Sequence, residues 1–347
     1  MRVLAIGDRY IPATHYVVAL HALLAGDADI RAVDWRGEKA AQHIARQAME
    51  CKGPDAVPTP WEIVEAVGDA EVLALHFAPI PAAVLDAGRH LRAVAVARTG
   101  LENVDIAAAT PRGIAVVPIF GRNASAVADL ALGIMLSEAR NIARADASIK
   151  AGGWPDDVGG PGVEIGGSTV GIVGFGHVGR ELARRLHGFG LRLLVAAPRV
   201  NEALLREHSA ERVDLDTLFR DSDFVHVTAR LTPETRRLVG AEQFALMKPT
   251  AIFVNTARSR LVDYDALYDA LAARRIAGAG LDVHDEEPLL PDSRWRKLDN
   301  VTLTPHCGGD TVTTNVRSAR LVAEAIAQLA RTGRCLQASN AAELGWA

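Results

Sequence analysis

Short apolar runs alternate with helical patterns along the first third of the chain. Such runs are typical of buried strands, and they occur here at residues 2–7, 30–35, 71–77, 91–97 and 114–119. Because strands separated by helices pair in parallel and are covered on both faces, the pattern predicts a doubly wound α/β unit. This stretch contains no glycine-rich nucleotide motif.

A second alternating series occupies the later part of the chain, with apolar runs at residues 168–173, 191–195, 224–228, 251–254, 277–283 and 301–304. Between the two series, an apolar stripe from Asn123 towards Lys150 predicts one long helix with Asn123 at its N-cap, which we interpret as the crossing between two domains. A last helix, predicted at residues 311–331 and ended by Gly333, is expected to return to the first domain. The pattern therefore predicts two doubly wound parallel-sheet domains.

One stretch gives the second series its chemistry: a β-branched run ends in Gly174-Phe-Gly176-His-Val-Gly179 and passes directly into a helical pattern. Gly174 suits the tight turn, Gly176 the approach of backbone to a pyrophosphate, and Gly179 close packing of helix and strand. The N–H groups of His177 and Val178, at the positive end of the helix dipole, are expected to hold the phosphates. Such a motif alone is weak evidence, but the strands and helix around it favour a dinucleotide site.

Reactive side chains follow three of the predicted strands of the second series. Arg258, Glu287 and His306 each come shortly after a strand, so the carboxyl edge of a parallel sheet brings them to the edge of the glycine turn. Singly, they also fit a surface cation, an acid in an exposed loop and a turn histidine. Jointly they suit reduction of a keto acid, with His306 as acid/base, Glu287 as its carboxylate partner and Arg258 gripping a carboxylate.

Composition and charge exclude several classes of function. With 347 residues, a formal charge of −4 and a pI near 6.3, the chain is long enough for two domains and offers no basic field for nucleic acid. It has no apolar run of about 18 residues to span a membrane. Its cysteines, Cys51, Cys307 and Cys335, are far apart, which predicts a cytoplasmic protein without disulfides or a metal site.

The chain resembles the D-isomer-specific 2-hydroxyacid dehydrogenases, the family of phosphoglycerate dehydrogenase, formate dehydrogenase and glyoxylate/hydroxypyruvate reductase. The resemblance covers nearly the whole chain. It rests on short motifs in a fixed order, which are Asn103-Val-Asp105, Val170-Gly-Ile-Val-Gly-Phe-Gly-His-Val-Gly179, Leu231-Thr-Pro-Glu-Thr235, Val254-Asn-Thr-Ala-Arg258, Leu261-Val-Asp263, Gly280-Leu-Asp-Val283, Glu287-Pro288 and Thr304-Pro-His306.

The resemblance implies an NAD(P)-dependent exchange of hydride between a D-2-hydroxy acid and its 2-keto acid. It implies that Arg258, Glu287 and His306 are the catalytic residues and that Asp282 contacts the nicotinamide carboxamide. Further cofactor contacts are assigned to residues that lie past the same strands, namely Thr256, Ala257, Gly308 and Gly309.

The resemblance also implies how the two domains are connected. A Rossmann nucleotide-binding domain at residues 122–308 is expected to be inserted into a flavodoxin-like substrate domain at residues 1–121 and 309–347. The substrate domain is expected to close over the cleft. A homodimer is expected to form through the long helix that begins near Asn123.

One departure from the family pattern concerns the substrate. The family grips the substrate carboxylate with a Gly-x-Gly turn, which here reads Arg98-Thr99-Gly100. A solvated loop arginine is one interpretation of Arg98. The other is a side chain that binds a second anionic group of the substrate, a phosphate or a distal carboxylate.

A second departure concerns the cofactor. NAD-preferring members place an acid about 20 residues beyond the glycines to bind the ribose 2′-hydroxyl. Ala197 stands in that place, and Arg199 follows it. We therefore expect NADP(H) to be used at least as readily as NAD(H), although an NAD enzyme with Arg199 in solvent remains open.

The main interpretation is an oxidoreductase, and two alternatives remain. One is a nucleotide-sensing binding protein like the corepressors built on this fold, and the other is a non-redox enzyme on a Rossmann scaffold. Turnover of NAD(P)H with 2-keto acids would separate them. His76 and His226 are interpreted as structural residues.

Overall fold

The structure is a computed structural model that describes residues 1–24, 26, 28–154 and 158–346. Residues 25, 27, 155–157 and 347, over which the predicted domains also extend, lie outside this description. The chain forms two compact units, residues 1–122 with 310–347, and residues 123–309.

A parallel five-stranded sheet lies at the centre of the first unit. Its strands follow the order β2-β1-β3-β4-β5, the flavodoxin-like order with helices on both faces. The elements are β1 (Arg2–Gly7), α1 (Ala13–Leu24), β2 (Asp29–Asp34), α2 (Lys39–Lys52), α3 (Trp61–Val67), β3 (Val72–Leu75), α4 (Ala82–Ala87), β4 (Ala93–Val96), α5 (Ile106–Ala109) and β5 (Ala115–Pro118).

The second unit is built on a parallel seven-stranded sheet with the order β12-β11-β10-β9-β6-β7-β8. Six of these strands have the Rossmann order, and the seventh extends it. The elements are α6 (Ala124–Ala139), α7 (Ile142–Lys150), β6 (Thr169–Val173), α8 (His177–Leu186), β7 (Arg192–Ala196), α9 (Glu202–Glu207), β8 (Ala210–Arg212), α10 (Leu215–Asp221), β9 (Phe224–Val227), α11 (Ala241–Leu246), β10 (Ile252–Asn255), α12 (Tyr264–Ala272), β11 (Gly278–Leu281) and β12 (Val301–Leu303).

The last helix, α13 (Val312–Thr332), belongs to the first unit and packs against α1. Leu20 of α1 and Val322 and Ile326 of α13 are buried in the same core. The prediction of two doubly wound parallel sheets is confirmed. No helix among the described residues is both long enough and apolar enough to cross a membrane.

The predicted long helix between the two series is wrong in one respect, because it is broken into α6 and α7. Asn141 has a left-handed backbone, with φ of 54°, which asparagine tolerates better than most residues. Its side chain donates to the carbonyl of Gly160 (3.0 Å), while Val163 N–H donates to the carbonyl of Ala139 (2.7 Å). The segment at residues 160–163 therefore takes up hydrogen bonds at the break.

Two smaller differences concern local signals. Asn123 occupies the N-cap position of α6, but its side chain makes no capping hydrogen bond. Strand β8 was not predicted, because Ala210-Glu-Arg212 carries no apolar run and forms the exposed edge of the sheet.

Candidate active site

The turn between β6 and α8 requires glycine at two of its three glycine positions, Gly174 and Gly179. Gly174 has φ of 87°, and a Cβ there would lie 2.7 Å from the backbone nitrogen of Ala229. At Gly179 a Cβ would lie 2.8 Å from the carbonyl oxygen of Gly174. At Gly176 it would meet no described atom within 4 Å, so the start of α8 borders open space.

The first N–H groups of α8 are suited to a phosphate. His177 and Val178 begin the helix, where N–H groups have no intrahelical acceptor and the dipole favours negative charge. Arg180 brings a guanidinium to 3.3 Å from Nδ1 of His177. Burial, and then the charge of Arg180, lower the pKa of His177.

His306 and Glu287 form a pair at the carboxyl ends of the neighbouring strands β12 and β11. Nδ1 of His306 lies 2.8 Å from Oε2 and 3.1 Å from Oε1 of Glu287. Oε1 also accepts a hydrogen bond from the N–H of His284 (3.0 Å), which fixes the carboxylate. His306 has φ of 52°, a left-handed backbone that few non-glycine residues adopt and that concentrates at functional sites.

Asp282, which follows β11, holds the loop that carries His306. Its Oδ1 accepts from the hydroxyl of Thr304 (2.7 Å) and the N–H of Cys307 (2.9 Å), and its Oδ2 accepts from the N–H of Gly308 (2.9 Å). A Cβ at Gly308 would come within 2.9 Å of Oδ2. The buried carboxylate of Asp282 therefore accepts hydrogen bonds from residues that come before and after His306 in the chain.

Arg258 follows β10 on the same sheet edge, and its exposed guanidinium donates to the carbonyl of Ala257 (2.8 Å). Asn255 shapes this turn, since Oδ1 accepts from Ala257 N–H (3.0 Å) and Nδ2 donates to the carbonyl of Arg258 (3.1 Å). The hydroxyl of Tyr264 accepts from Asn255 (3.2 Å) and donates to Val283 (2.6 Å), which ties β10 to β11. Sequence reasoning missed Asn255 and Tyr264, although an asparagine at a strand end is a turn signal.

The other predicted cofactor residues follow three strands of this sheet, β10, β12 and β7. Thr256 is buried directly after β10, and a Cβ at Gly309 would lie 2.6 Å from Nδ2 of Asn123. After β7, Ala197 is half-buried and Arg199 is exposed. Arg212 of β8 donates to the carbonyl of Pro198 (2.9 Å), so a second guanidinium lies against this loop.

The predicted substrate loop lies in the first unit, after β4. Arg98 is only 7% exposed, and its Nη2 pairs with Glu50 (2.8 Å) and Glu102 (3.3 Å). Thr99 is exposed. A Cβ at Gly100 would overlap the carboxylate of Glu102. Arg98 is therefore a buried and paired side chain rather than a solvated one.

Comparison with known proteins identifies the family. The NAD-binding-domain model of the D-isomer specific 2-hydroxyacid dehydrogenases matches residues 132–308. The chain is 40% identical over 274 residues to a glyoxylate reductase of Korarchaeum cryptofilum, covering 78% of this chain and 82% of that protein. The chain belongs to the D-isomer-specific 2-hydroxyacid dehydrogenases.

Two further similarities extend over most of the family fold. A hydroxypyruvate reductase of Thermotoga maritima is 40% identical over 253 residues, which cover 72% of this chain and 81% of that protein. The crystal structure of the TT0316 protein of Thermus thermophilus matches with a TM-score of 0.74 and 31% identity, covering 96% of this chain and 98% of that one. The resemblance carried by the sequence motifs is thereby confirmed, and the second unit contains the NAD-binding domain of a 2-hydroxyacid dehydrogenase.

Proposed function

We propose that this protein is an NAD(P)-dependent oxidoreductase that interconverts a D-2-hydroxy acid and its 2-keto acid. The observation that carries the proposal is the 2.8 Å pairing of His306 with Glu287 at the sheet edge where β6 ends in the glycine turn. Ligands of open parallel sheets bind beyond this edge. The names of two relatives refer to glyoxylate and to hydroxypyruvate, and both compounds are 2-keto acids.

His306 is proposed to exchange the proton of the reaction. Reduction of a ketone needs a hydride and a proton, and a bound nicotinamide supplies the hydride alone. Because Nδ1 of His306 faces Glu287, Nε2 is the atom proposed to protonate the carbonyl oxygen. Glu287 orients the ring and stabilises the imidazolium, while Arg258 binds the substrate carboxylate through its two-pronged guanidinium.

The residues of the second unit fit a dinucleotide. His177 and Val178 are proposed to hold the pyrophosphate, since Gly176 leaves space in front of their N–H groups. Contacts along the rest of the cofactor are proposed for Thr256, Ala257, Asp282, Gly308 and Gly309. We propose that NADP(H) is accepted at least as readily as NAD(H), because Ala197 replaces the usual acid and Arg199 and Arg212 flank the same loop.

We propose a homodimer that uses α7. Ile142 and Ile149 lie seven residues apart on this helix and are 55% and 51% exposed, and Trp154 beyond it is 84% exposed. Packing against a second copy of the chain would bury these exposed apolar side chains. Light scattering should give about twice 36.9 kDa for the parent, and Ile142→Glu with Ile149→Glu should give the monomer mass. A monomeric parent would contradict the dimer.

The catalytic proposal is tested by NAD(P)H absorbance with a panel of 2-keto acids. His306→Gln should lower turnover about 10²- to 10⁴-fold while cofactor binding, followed by NAD(P)H fluorescence, stays intact. His187→Gln, an exposed histidine of the same unit, should leave both unchanged.

Two results would count against the proposal. Near-normal turnover of His306→Gln would remove the residue from the proton step. A parent that binds NAD(P)H but turns over none of the panel would favour the nucleotide-sensing alternative, which no observation on this chain supports.

A further inference from the structure

Ionisable side chains gather at the carboxyl edge of the five-stranded sheet, outside the nucleotide-binding unit. Asp8 follows β1, His76 follows β3, Arg98 follows β4, Arg122 follows β5, and Arg46 reaches them from α2. We call these five residues the edge cluster. Asp8, His76 and Arg98 are 4%, 2% and 7% exposed. Because ligands bind beyond the carboxyl ends of parallel strands, this position is suited to binding.

Within the edge cluster, Arg122 is held by a neutral histidine. A guanidinium only donates, so the 2.8 Å contact of Arg122 Nη2 requires Nε2 of His76 to accept. The ring proton then lies on Nδ1, 3.2 Å from Oδ2 of Asp8. Burial, which outweighs the attraction of Asp8, lowers the pKa of His76 to about 4, consistent with this neutral tautomer. Arg122 thus keeps its charge and is oriented rather than neutralised by its nearest partner.

The other two arginines have donors without acceptors. Nη1 of Arg98 and Nε and Nη2 of Arg46 are buried and have no hydrogen-bond partner among the described residues. Glu50 lies 2.8 Å from Arg98 but 3.8 Å from Arg46. Leaving charged donors buried and unpaired is costly, so such groups in native proteins call for an acceptor.

The two guanidinium groups are brought together by an aromatic ring. The Cζ atoms of Arg98 and Arg46 lie 5.0 Å and 5.6 Å from the centre of the Phe77 ring, in cation–π contact. The nearby carboxylates are already engaged, since Asp8 accepts from the backbone N–H groups of Tyr10 and Ile11 and faces His76, and Glu50 and Glu102 pair with Arg98. The three carboxylates balance the charges of the three arginines, so it is the buried donors of Arg46 and Arg98 without acceptors that favour an added anion.

We propose that the edge cluster binds a second anionic group of the substrate, a carboxylate or a phosphate ester distant from the keto carbon. The donors of Arg46 and Arg98 bind this group, Arg122 adds charge, and His76 with Asp8 positions Arg122. Arginine forks match the oxygens of both kinds of anion. The inference rests on the proposed function and narrows its substrate to dianionic 2-keto acids.

Matched substrates test the inference on the parent protein. Hydroxypyruvate and its 3-phosphate differ only in the phosphate, and 2-oxopentanoate and 2-oxopentanedioate differ only at the terminal carbon. The dianionic member of at least one pair should have a kcat/KM about 10- to 100-fold higher, as expected for charge-assisted hydrogen bonds. Equal values in both pairs would overturn the inference and leave the proposed function standing.

Variants assign the preference to residues. Arg46→Gln should lose about 10- to 100-fold with the preferred dianionic substrate and little with its partner, and Arg46→Lys, which keeps charge without the fork, should lose less. Lys52→Gln, an exposed cation on the same helix, should change neither. Equal losses on both members of the pair, for Arg46→Gln or Arg98→Gly, would mean that the arginine supports the fold rather than the anion. If Arg46→Gln does not fold, the inference is tested by the kcat/KM values of the parent and of Arg46→Lys with the two substrate pairs.

Inorganic phosphate separates a substrate subsite from a site for a free anion. It should compete with the dianionic substrate and raise the unfolding temperature of the parent more than that of Arg46→Lys. A change in turnover of hydroxypyruvate without such competition would overturn the inference in favour of an effector site. If no 2-keto acid is turned over while phosphate still stabilises the parent, the proposed function fails and the anion site survives as a property of the first unit.

Discussion

Two arginines lie at the loop after β7, one within it and one on the neighbouring strand β8, and they bear on the choice of cofactor. Arg199 is exposed within the loop, and Arg212 donates to the carbonyl of Pro198 at 2.9 Å. Ala197, in place of an acid, offers neither a carboxylate that accepts from a ribose hydroxyl nor a charge that repels a 2′-phosphate, although Glu202, which pairs with Arg212, lies just beyond the loop. We expect a 2′-phosphate at this loop to contact the guanidinium of Arg199. Arg212 would act indirectly, by holding the loop through the carbonyl of Pro198.

Arg199→Ala should therefore lower the ratio of kcat/KM for NADPH to that for NADH about 10-fold at low salt, through loss of a charge-assisted contact. Arg220→Ala, an exposed arginine of the same unit, serves as the control and should leave the ratio unchanged. A clear NADH preference in the parent that Arg199→Ala does not alter would contradict the idea. A swing towards NADH in Ala197→Asp would not rescue it, because a new carboxylate repels phosphate in any parent.

The residues found from the sequence and the residues missed differ in what determines their position. Glu287 and His306 were predicted because strand ends in a parallel sheet share an edge, which strand periodicity is enough to reveal. Asn255 acts through the turn after β10, and Arg212 acts from the edge strand β8. Neither segment has an apolar pattern that would reveal these contacts from the sequence. The pairing of Arg98 with Glu50, 48 residues apart, is a tertiary contact that one sequence does not encode locally.

At the scale of elements, the junction of β6 with α8 makes two different demands on glycine. Gly179 needs space against backbone, because its Cβ would lie 2.8 Å from the carbonyl oxygen of Gly174. Gly176 has an ordinary φ of −79°, and its Cβ would meet no described atom. Gly179 is therefore needed by the fold, whereas Gly176 leaves the space that we propose for a phosphate.

Gly179→Ala should destabilise the protein by about 1–3 kcal/mol, since a backbone oxygen cannot yield as a side chain can. Gly176→Ala should leave the free energy of unfolding within about 0.5 kcal/mol of the parent but weaken NAD(P)H binding by obstructing the phosphates. Urea unfolding and a fluorescence titration distinguish the two effects. Unchanged cofactor affinity in a folded Gly176→Ala would exclude the phosphate site at the start of α8.

Element boundaries that depend on distant segments were the least predictable. The apolar stripe runs on from α6 into α7, so periodicity predicts one helix. The break at Asn141 is held by the segment at residues 160–163, about 20 residues further along the chain. Local pattern fixes the existence of such helices, while tertiary hydrogen bonds fix where one ends.

At the scale of the whole molecule, both units bury a histidine in its neutral form. Burial lowers the pKa of His76 in the first unit to about 4 and the pKa of His226 in the second unit to about 3. Nε2 of His226 lies 3.2 Å from the sulfur of Met135, and Nδ1 has no hydrogen-bond partner among the described residues. Neither environment offers the charged ring enough compensation for the loss of water.

These two histidines predict how stability depends on pH. In the unfolded chain a histidine takes up a proton near pH 6.5, whereas His76 and His226 do so in the folded protein only near pH 4 and pH 3. The unfolded state therefore binds more protons below about pH 6.5, and the free energy of unfolding should fall there by up to about 1.4 kcal/mol per pH unit for each histidine. The variant His226→Gln tests this dependence by urea unfolding. Its free energy of unfolding should fall less than that of the parent between about pH 7.5 and pH 5, because its unfolded state has one histidine fewer to protonate. His187→Gln, which removes an exposed histidine, is the control for the substitution itself. A His226→Gln protein whose stability falls as steeply as the parent's would show that His226 is not held neutral by the fold.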